Sequence, residues 1–158
     1  MYGEIVASEL LGAEGRPVGI IPPNVRLTLQ VTYCARDAVT DVTTEEVAGR
    51  LGEAGLVLLD VRSTPEFTGD TVAPCDPRPG RIPGAHHLDV QELMTLTREQ
   101  IRERLGPVED VEVVAYCHSG ARSELATEIL RAAGYRTSNY RGSWHEWSRD
   151  ESLPAETG

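Results

Sequence analysis

Residues 111–134 read Val-Glu-Val-Val-Ala-Tyr-Cys-His-Ser-Gly-Ala-Arg-Ser-Glu-Leu-Ala-Thr-Glu-Ile-Leu-Arg-Ala-Ala-Gly. The first six residues, Val111 to Tyr116, have the length and apolar content of a buried strand. The pattern breaks at Cys117-His118-Ser119-Gly120 and resumes with a helical period from about Ala121 to Ala133. On that helix Leu125, Ala126, Ile129, Leu130 and Ala133 form one stripe, and Gly134 supplies the C-terminal stop. A buried strand that runs directly into an amphipathic helix is the unit from which parallel sheets are built.

The same alternation extends on both sides. Leu56-Val57-Leu58-Leu59-Asp60-Val61 is a nearly continuous apolar run, as in a strand covered on both faces. Before it, Thr43 and Glu46 have capping-box spacing, Val42 and Val47 can staple across them, and the helix turns Val47, Ala48 and Leu51 inward. A loop rich in Pro, Gly and Asp runs from Arg62 to Arg81, and a short strand is expected at His86–Leu88. A second box, Thr97 with Gln100, is stapled by Leu96 and Ile101, and Gly106-Pro107 ends that helix. A last strand near Arg136–Tyr140 leads to a short helix at Gly142–Trp147. The fold class is therefore α/β, on a mostly parallel sheet.

The 158 residues suit one domain with a modest extension. Residues 1–41 lack a clear period except at 25–33, where apolar and polar residues alternate as in a half-buried strand; they read as an N-terminal arm packed on the domain. The domain itself spans 42–150, and 151–158 read as a C-terminal tail. A net charge of -10 disfavours nucleic acid and anionic membrane surfaces as partners. No apolar run approaches the roughly 20 residues of a membrane span. The first 15 residues lack the basic and apolar regions of a secretory signal, so a cytoplasmic location is expected.

Ligand sites in parallel α/β sheets lie at the carboxyl ends of the strands, which is where Cys117 falls. The helix that follows directs its N-terminal dipole at the sulfur, and Arg122 and His118 are near enough in sequence to add charge. No proline interrupts residues 118–123, so each amide is free to point a donor at an anion. Such surroundings favour a thiolate, the nucleophilic form. Lone cysteines are more often small buried core residues. The strand-to-helix break around Cys117 favours the nucleophile.

Three stretches carry a family resemblance. Leu59-Asp60-Val61-Arg62-Ser63-Thr64-Pro65-Glu66-Phe67, Gly80-Arg81-Ile82-Pro83-Gly84-Ala85 and Tyr116-Cys117-His118-Ser119-Gly120-Ala121-Arg122-Ser123 resemble the signature stretches of a rhodanese domain. The likeness extends from Val42 to about Arg149, and Arg141-Gly142-Ser143-Trp144-His145-Glu146-Trp147 is similar to the end of the catalytic half of tandem-domain rhodaneses. The resemblance implies a five-stranded parallel sheet with helices on both faces. It also implies sulfurtransferase chemistry, with Cys117 carrying sulfur as a persulfide inside a loop formed by His118, Ser119, Gly120, Ala121, Arg122 and Ser123. The donor would be thiosulfate or a related small molecule, and the acceptor cyanide, a thiol or a carrier protein. Neither metal nor organic cofactor is needed.

Asp60 and Arg62 are expected as a partly buried pair that supports the Cys117 loop, with Glu66 and Arg81 as further supporting residues. Arg78, Arg81 and Arg122 are possible anion partners. Ser119 stands where thiosulfate-specific tandem rhodaneses have a basic residue, and Glu66 where those enzymes have a substrate-binding arginine, so the donor stays open. Rhodanese-fold phosphatases and arsenate reductases have a cysteine loop one residue longer than the four residues between Cys117 and Arg122, which disfavours that alternative. A module that only delivers sulfur to a dedicated partner is the other alternative. Cys75 reads as an incidental loop cysteine, though one placed to take up the persulfide, and Cys34 as buried. His86 and His87 point to opposite faces of a strand and do not share a metal ion. Trp144 and Trp147 read as core.

Overall fold

A computed structural model of the chain describes residues 40–158. The strand expected at 25–33, most of the arm that contains it, and Cys34 lie outside the described residues. In chain order the elements are β1 Thr40–Val42, α1 Thr44–Gly49, β2 Leu56–Asp60, α2 Thr64–Thr68, β3 His86–His87, α3 Val90–Leu93, α4 Arg98–Leu105, β4 Glu112–Tyr116, α5 Ala121–Ala133, β5 Arg136–Tyr140 and α6 Ser143–Trp147. The five strands described form one sheet in the order β1-β5-β4-β2-β3, and every neighbouring pair is parallel.

The apolar runs of β2 and β4 are covered on both faces, which is why neither alternates with polar residues. Val57 and Leu59 of β2 pack with Val113, Ala115 and Cys117 in one core, beneath Ile101, Ala126 and Leu130 of α4 and α5. Leu58, Val114 and Tyr116 point the other way, into a second core with Val47, Ile82, Trp144 and Trp147. The period of two along β4 therefore directs Cys117 toward the α5 side. Both tryptophans are fully buried, as the sequence suggested.

Both capping boxes form. Thr43 Oγ1 accepts from the Glu46 N–H while the Glu46 carboxylate accepts from the Thr43 N–H, and Thr97 and Gln100 do the same for α4. Two helices were not legible in the pattern, α2 within the loop expected from 62 to 81, and α3. Helix α2 had a signal in Ser63-x-x-Glu66, whose carboxylate accepts from both the N–H and the hydroxyl of Ser63.

The buried stripe of α5 also differs from the expected one. Ser123, Ala126, Thr127, Leu130 and Ala133 face inward, while Leu125 is 44 % exposed. Ser123 and Thr127 tolerate burial because their hydroxyls donate to the carbonyls of Gly120 and Glu124. The residues after Asp150 fold back onto the domain. Arg81 and Glu156 exchange backbone hydrogen bonds of 2.9 and 3.0 Å, and Trp147 Nε1 donates to the Pro154 carbonyl at 2.8 Å. No helix among the described residues is long and apolar enough to cross a membrane.

Candidate active site

Cys117 leaves the end of β4 and enters a loop that is tied to two neighbouring elements. Its N–H donates to Ser143 Oγ at 3.1 Å, and its carbonyl accepts from the Trp144 N–H at 3.0 Å. The His118 carbonyl accepts from the His145 N–H at 2.9 Å, so the first turn of α6 holds the loop along one side. Ser143 adopts a positive φ of 54°, a conformation that costs an L-residue roughly 1–2 kcal/mol. Its side chain offsets that cost by donating to the Tyr140 carbonyl at 2.8 Å while accepting from Cys117.

Cys117 is 1 % exposed, and its sulfur has polar groups around it. The Gly120 N–H points at Sγ from 3.1 Å; the Ser123 hydroxyl, 3.6 Å away, can turn its one proton from the Gly120 carbonyl to the sulfur, while Ser143 Oγ, 3.9 Å away, gives its proton to the Tyr140 carbonyl. Burial pushes the Cys117 thiol up. The Ser123 hydroxyl and the N–H groups of Ser123, Ser119 and Gly120 outweigh it and hold the thiol below its ordinary value. Donors gathered on this side of the sulfur favour a sulfur anion over a neutral thiol. Gly120 allows this turn because its φ is +94° and because a Cβ there would sit 2.9 Å from the Arg141 carbonyl oxygen.

Arg122 is on the rim, with its guanidinium forming two parallel bonds of 2.8 and 2.9 Å to Glu66. The Arg122 pair, against opposing burial and with help from Ser63, lowers the Glu66 carboxyl to about 2. Glu66 raises Arg122 in return, and attraction to the Cys117 thiolate adds a smaller contribution in the same direction. Ala121 is exposed at the start of α5, and Ser119 is exposed at the mouth. That mouth belongs to an open cavity of about 450 Å³ beside the cysteine loop, lined by Ser119, Arg141, His145 and Glu146, with Val42, Thr43 and Gly142; Cys117 is not part of its lining.

The structure places the other expected residues farther from the sulfur. Asp60 and Arg62 form a fully buried pair, rather than a partly buried one, with Nη2 2.6 Å from Oδ2. Burial lowers Arg62, but its bonds to Asp60 outweigh that and raise it. Its guanidinium also donates to the Gly80 carbonyl at 2.7 Å and lies 5.1 Å from the centre of the Trp144 ring. Support therefore reaches the Cys117 loop through Trp144, whose N–H binds the Cys117 carbonyl.

Arg81 and Arg78 do not face the mouth. Arg81 donates to the Gly158 carbonyl and stacks on Phe67, while Arg78 donates to the carbonyls of Trp147, Ser148, Asp150 and Leu153. Both hold the C-terminal residues, because a five-donor guanidinium matches converging carbonyls. His118 turns toward Asp76, with Nε2 3.2 Å from Oδ1. Cys75 is exposed, with Sγ 3.6 Å from His118 Nε2.

Four residues that the sequence reading gave no role belong here: Asp76, Arg141, Ser143 and His145. Arg141 is 75 % exposed beside the mouth, with a loose 3.7 Å ion pair to Asp41. The Arg-Gly-Ser-Trp-His-Glu-Trp stretch was the available signal for three of them. Asp76 had none.

A parallel α/β domain with an amide-lined cysteine loop at a strand end defines a class, and comparison with known proteins identifies the family. Residues 43–150 match the rhodanese-like domain, and the chain belongs to that family. It is 38 % identical over 117 residues to a thiosulfate sulfurtransferase of Azotobacter vinelandii, covering 68 % of this chain and 42 % of that protein. It is 36 % identical over 134 residues to a Pseudomonas aeruginosa protein described as "Probable 3-mercaptopyruvate sulfurtransferase", covering 77 % and 46 %. A crystal structure described as "Probable Thiosulfate Sulfurtransferase" superposes with a TM-score of 0.63 at 46 % identity, covering 73 % of this chain and 47 % of that one. The chain thus spans less than half the length of each of these three.

Proposed function

We propose that the chain is a sulfurtransferase that moves sulfane sulfur from thiosulfate or a related donor, through a Cys117 persulfide, to a thiophilic acceptor. The observation that carries this reading is a buried cysteine whose Sγ accepts from the Gly120 N–H at 3.1 Å within a loop that holds its thiol below the ordinary value. The Cys117 thiolate attacks the outer sulfur of thiosulfate. A new S–S bond forms, the S–S bond inside the donor breaks, and sulfite leaves with the electron pair. The resulting persulfide anion lies among the same loop amides, which stabilise charge as it moves one atom outward. Cyanide, a thiol or a carrier protein then attacks the terminal sulfur and releases the Cys117 thiolate, which is two-step covalent catalysis.

The four-residue spacing from Cys117 to Arg122 makes a small ring that suits one sulfur atom better than a tetrahedral phosphate. In the cavity beside the cysteine loop, the exposed Arg141 guanidinium adds positive field that favours an anionic donor. Arg122, held by Glu66, contributes field rather than a free anion contact. Mass spectrometry after separate exposure to thiosulfate and to mercaptopyruvate tests the reading. One added sulfur atom on wild type and none on Cys117→Ser is expected; a Cys117→Ser protein that still turns over thiosulfate and cyanide refutes it.

A further inference from the structure

Beside the Cys117 loop, four side chains from three separate segments converge on one point. They are Cys75 and Asp76 from the loop after α2, His118 from the cysteine loop, and His145 from α6. One ligand atom from each, Sγ, Oδ, Nε2 and Nδ1, lies within 4.8 Å of all the others. Asp76 Oδ1 is 3.2 Å from His118 Nε2 and 3.1 Å from His145 Nδ1. Cys75 Sγ is 3.6 Å from His118 Nε2 and 3.9 Å from Asp76 Oδ1.

Four of the six separations have the dimensions of tetrahedron edges around a small ion, and the other two, Cys75 to His145 and His118 to His145, lie within 4.8 Å. Zinc bonds of about 2.0–2.1 Å to nitrogen and oxygen and about 2.3 Å to sulfur give edges of about 3.3 Å between nitrogen and oxygen and about 3.6 Å between sulfur and nitrogen. All four fall within a few tenths of an ångström of those edges, and closing the other two pairs needs a small turn of the exposed Cys75 side chain and of the His145 ring. The chemistry of the donors agrees. One thiolate, one carboxylate and two imidazoles suit zinc or cobalt rather than calcium or magnesium, which take oxygen ligands. The two anionic ligands balance the charge of a divalent ion.

We infer that Cys75, Asp76, His118 and His145 form a binding site for a divalent transition-metal ion of the zinc class. The competing arrangement is a hydrogen-bonded carboxylate and nothing more. The Asp76 side chain is 2 % exposed, receives both imidazoles, and has Arg149 Nη1 3.7 Å away. That network accounts for two imidazoles gathered on a buried carboxylate; the neighbouring Cys75 adds a thiol whose Sγ faces His118 Nε2 at 3.6 Å, the donor a zinc-class ion would use. Arg149 lowers affinity by repelling a cation, yet its guanidinium is also held by the carbonyls of Cys75 and His145, which keeps those two segments in place. Because His118 follows Cys117 directly, an ion here would pin the loop after α2 and the first turn of α6 to the cysteine loop. The inference does not depend on sulfur transfer.

Cobalt titration of the full chain carrying Cys34→Ser and Cys117→Ser tests it, since Cys75 is then the remaining thiol. One equivalent of cobalt is expected to produce thiolate-to-cobalt charge-transfer absorption and the intense visible bands of tetrahedral coordination, both removed by one equivalent of zinc. Adding Cys75→Ser, an exposed position that leaves the core untouched, should abolish the charge-transfer band. Adding His145→Ala or Asp76→Asn should weaken binding at least tenfold, with circular dichroism confirming the fold. No cobalt bands in the starting protein, or bands unchanged by Cys75→Ser, would overturn the site and leave the hydrogen-bonded carboxylate.

Discussion

Replacing Gly120 with alanine tests whether the turn after Cys117 sets both stability and thiol chemistry. Two separate costs apply. An L-residue held at φ +94° carries about 1–3 kcal/mol of backbone strain. The new methyl group would also sit 2.9 Å from the Arg141 carbonyl oxygen, 3.1 Å from its Cγ and 3.3 Å from its Cα. The nearest atom is backbone and cannot swing aside, so relieving the overlap costs about another 1–3 kcal/mol. The total of roughly 2–6 kcal/mol corresponds to a fall in Tm of roughly 4–24 °C for a domain of this size. Gly52→Ala is the control. Gly52 has φ +77° and nothing within 4 Å of a Cβ, so strain alone acts there. Thermal unfolding followed by circular dichroism should show Gly120→Ala clearly less stable than Gly52→Ala. Displacing the Gly120 N–H from Sγ should also slow iodoacetamide alkylation of Cys117 near neutral pH, because less of the thiol is ionised. Equal Tm values for the two variants, with alkylation unchanged, would refute the account of the turn.

Asp60→Asn leaves Arg62 charged and buried without its counter-ion, and about 3–5 kcal/mol of stability should be lost, measurable by urea unfolding. The Asp60→Leu, Arg62→Met double variant should lose less, because no buried charge is stranded. Glu66 is held at about 2, well below the ordinary carboxylate range, so it stabilises the fold above that range and the contribution is lost as pH falls toward 2. Urea unfolding from pH 6 down to pH 3 should accordingly show a shallower acid dependence in Glu66→Gln than in wild type. Ser143→Ala strands the buried Cys117 N–H and the Tyr140 carbonyl; a loss of roughly 2–4 kcal/mol is expected in urea unfolding, with slower persulfide formation.

Much of this architecture is written in short-range signals. Thr43 and Glu46, and Thr97 and Gln100, mark their helices because a capping box closes within three residues. The apolar runs of β2 and β4 announce burial on both faces, and with it a parallel sheet. Helix α2 carried a comparable sign in Ser63 and Glu66, obscured by the Pro- and Gly-rich loop around it. The inward face of α5 was misjudged at Leu125 because hydrophobicity alone cannot see that Ser123 and Thr127 satisfy their hydroxyls on the preceding turn.

The sequence by itself determined the strand, the break and the helix around Cys117, since period, caps and turn residues act between near neighbours. The tertiary structure alone decided which distant side chains surround that cysteine. Ser143 reaches it across 26 positions, and Asp76 meets His118 across 42. It also decided that Arg78 and Arg81 turn to the C-terminal carbonyls while Arg141 stays at the mouth. Long polar side chains take the partners that packing delivers, and the cost of leaving a buried donor or acceptor unpaired selects among them only once the sheet and its helices have closed.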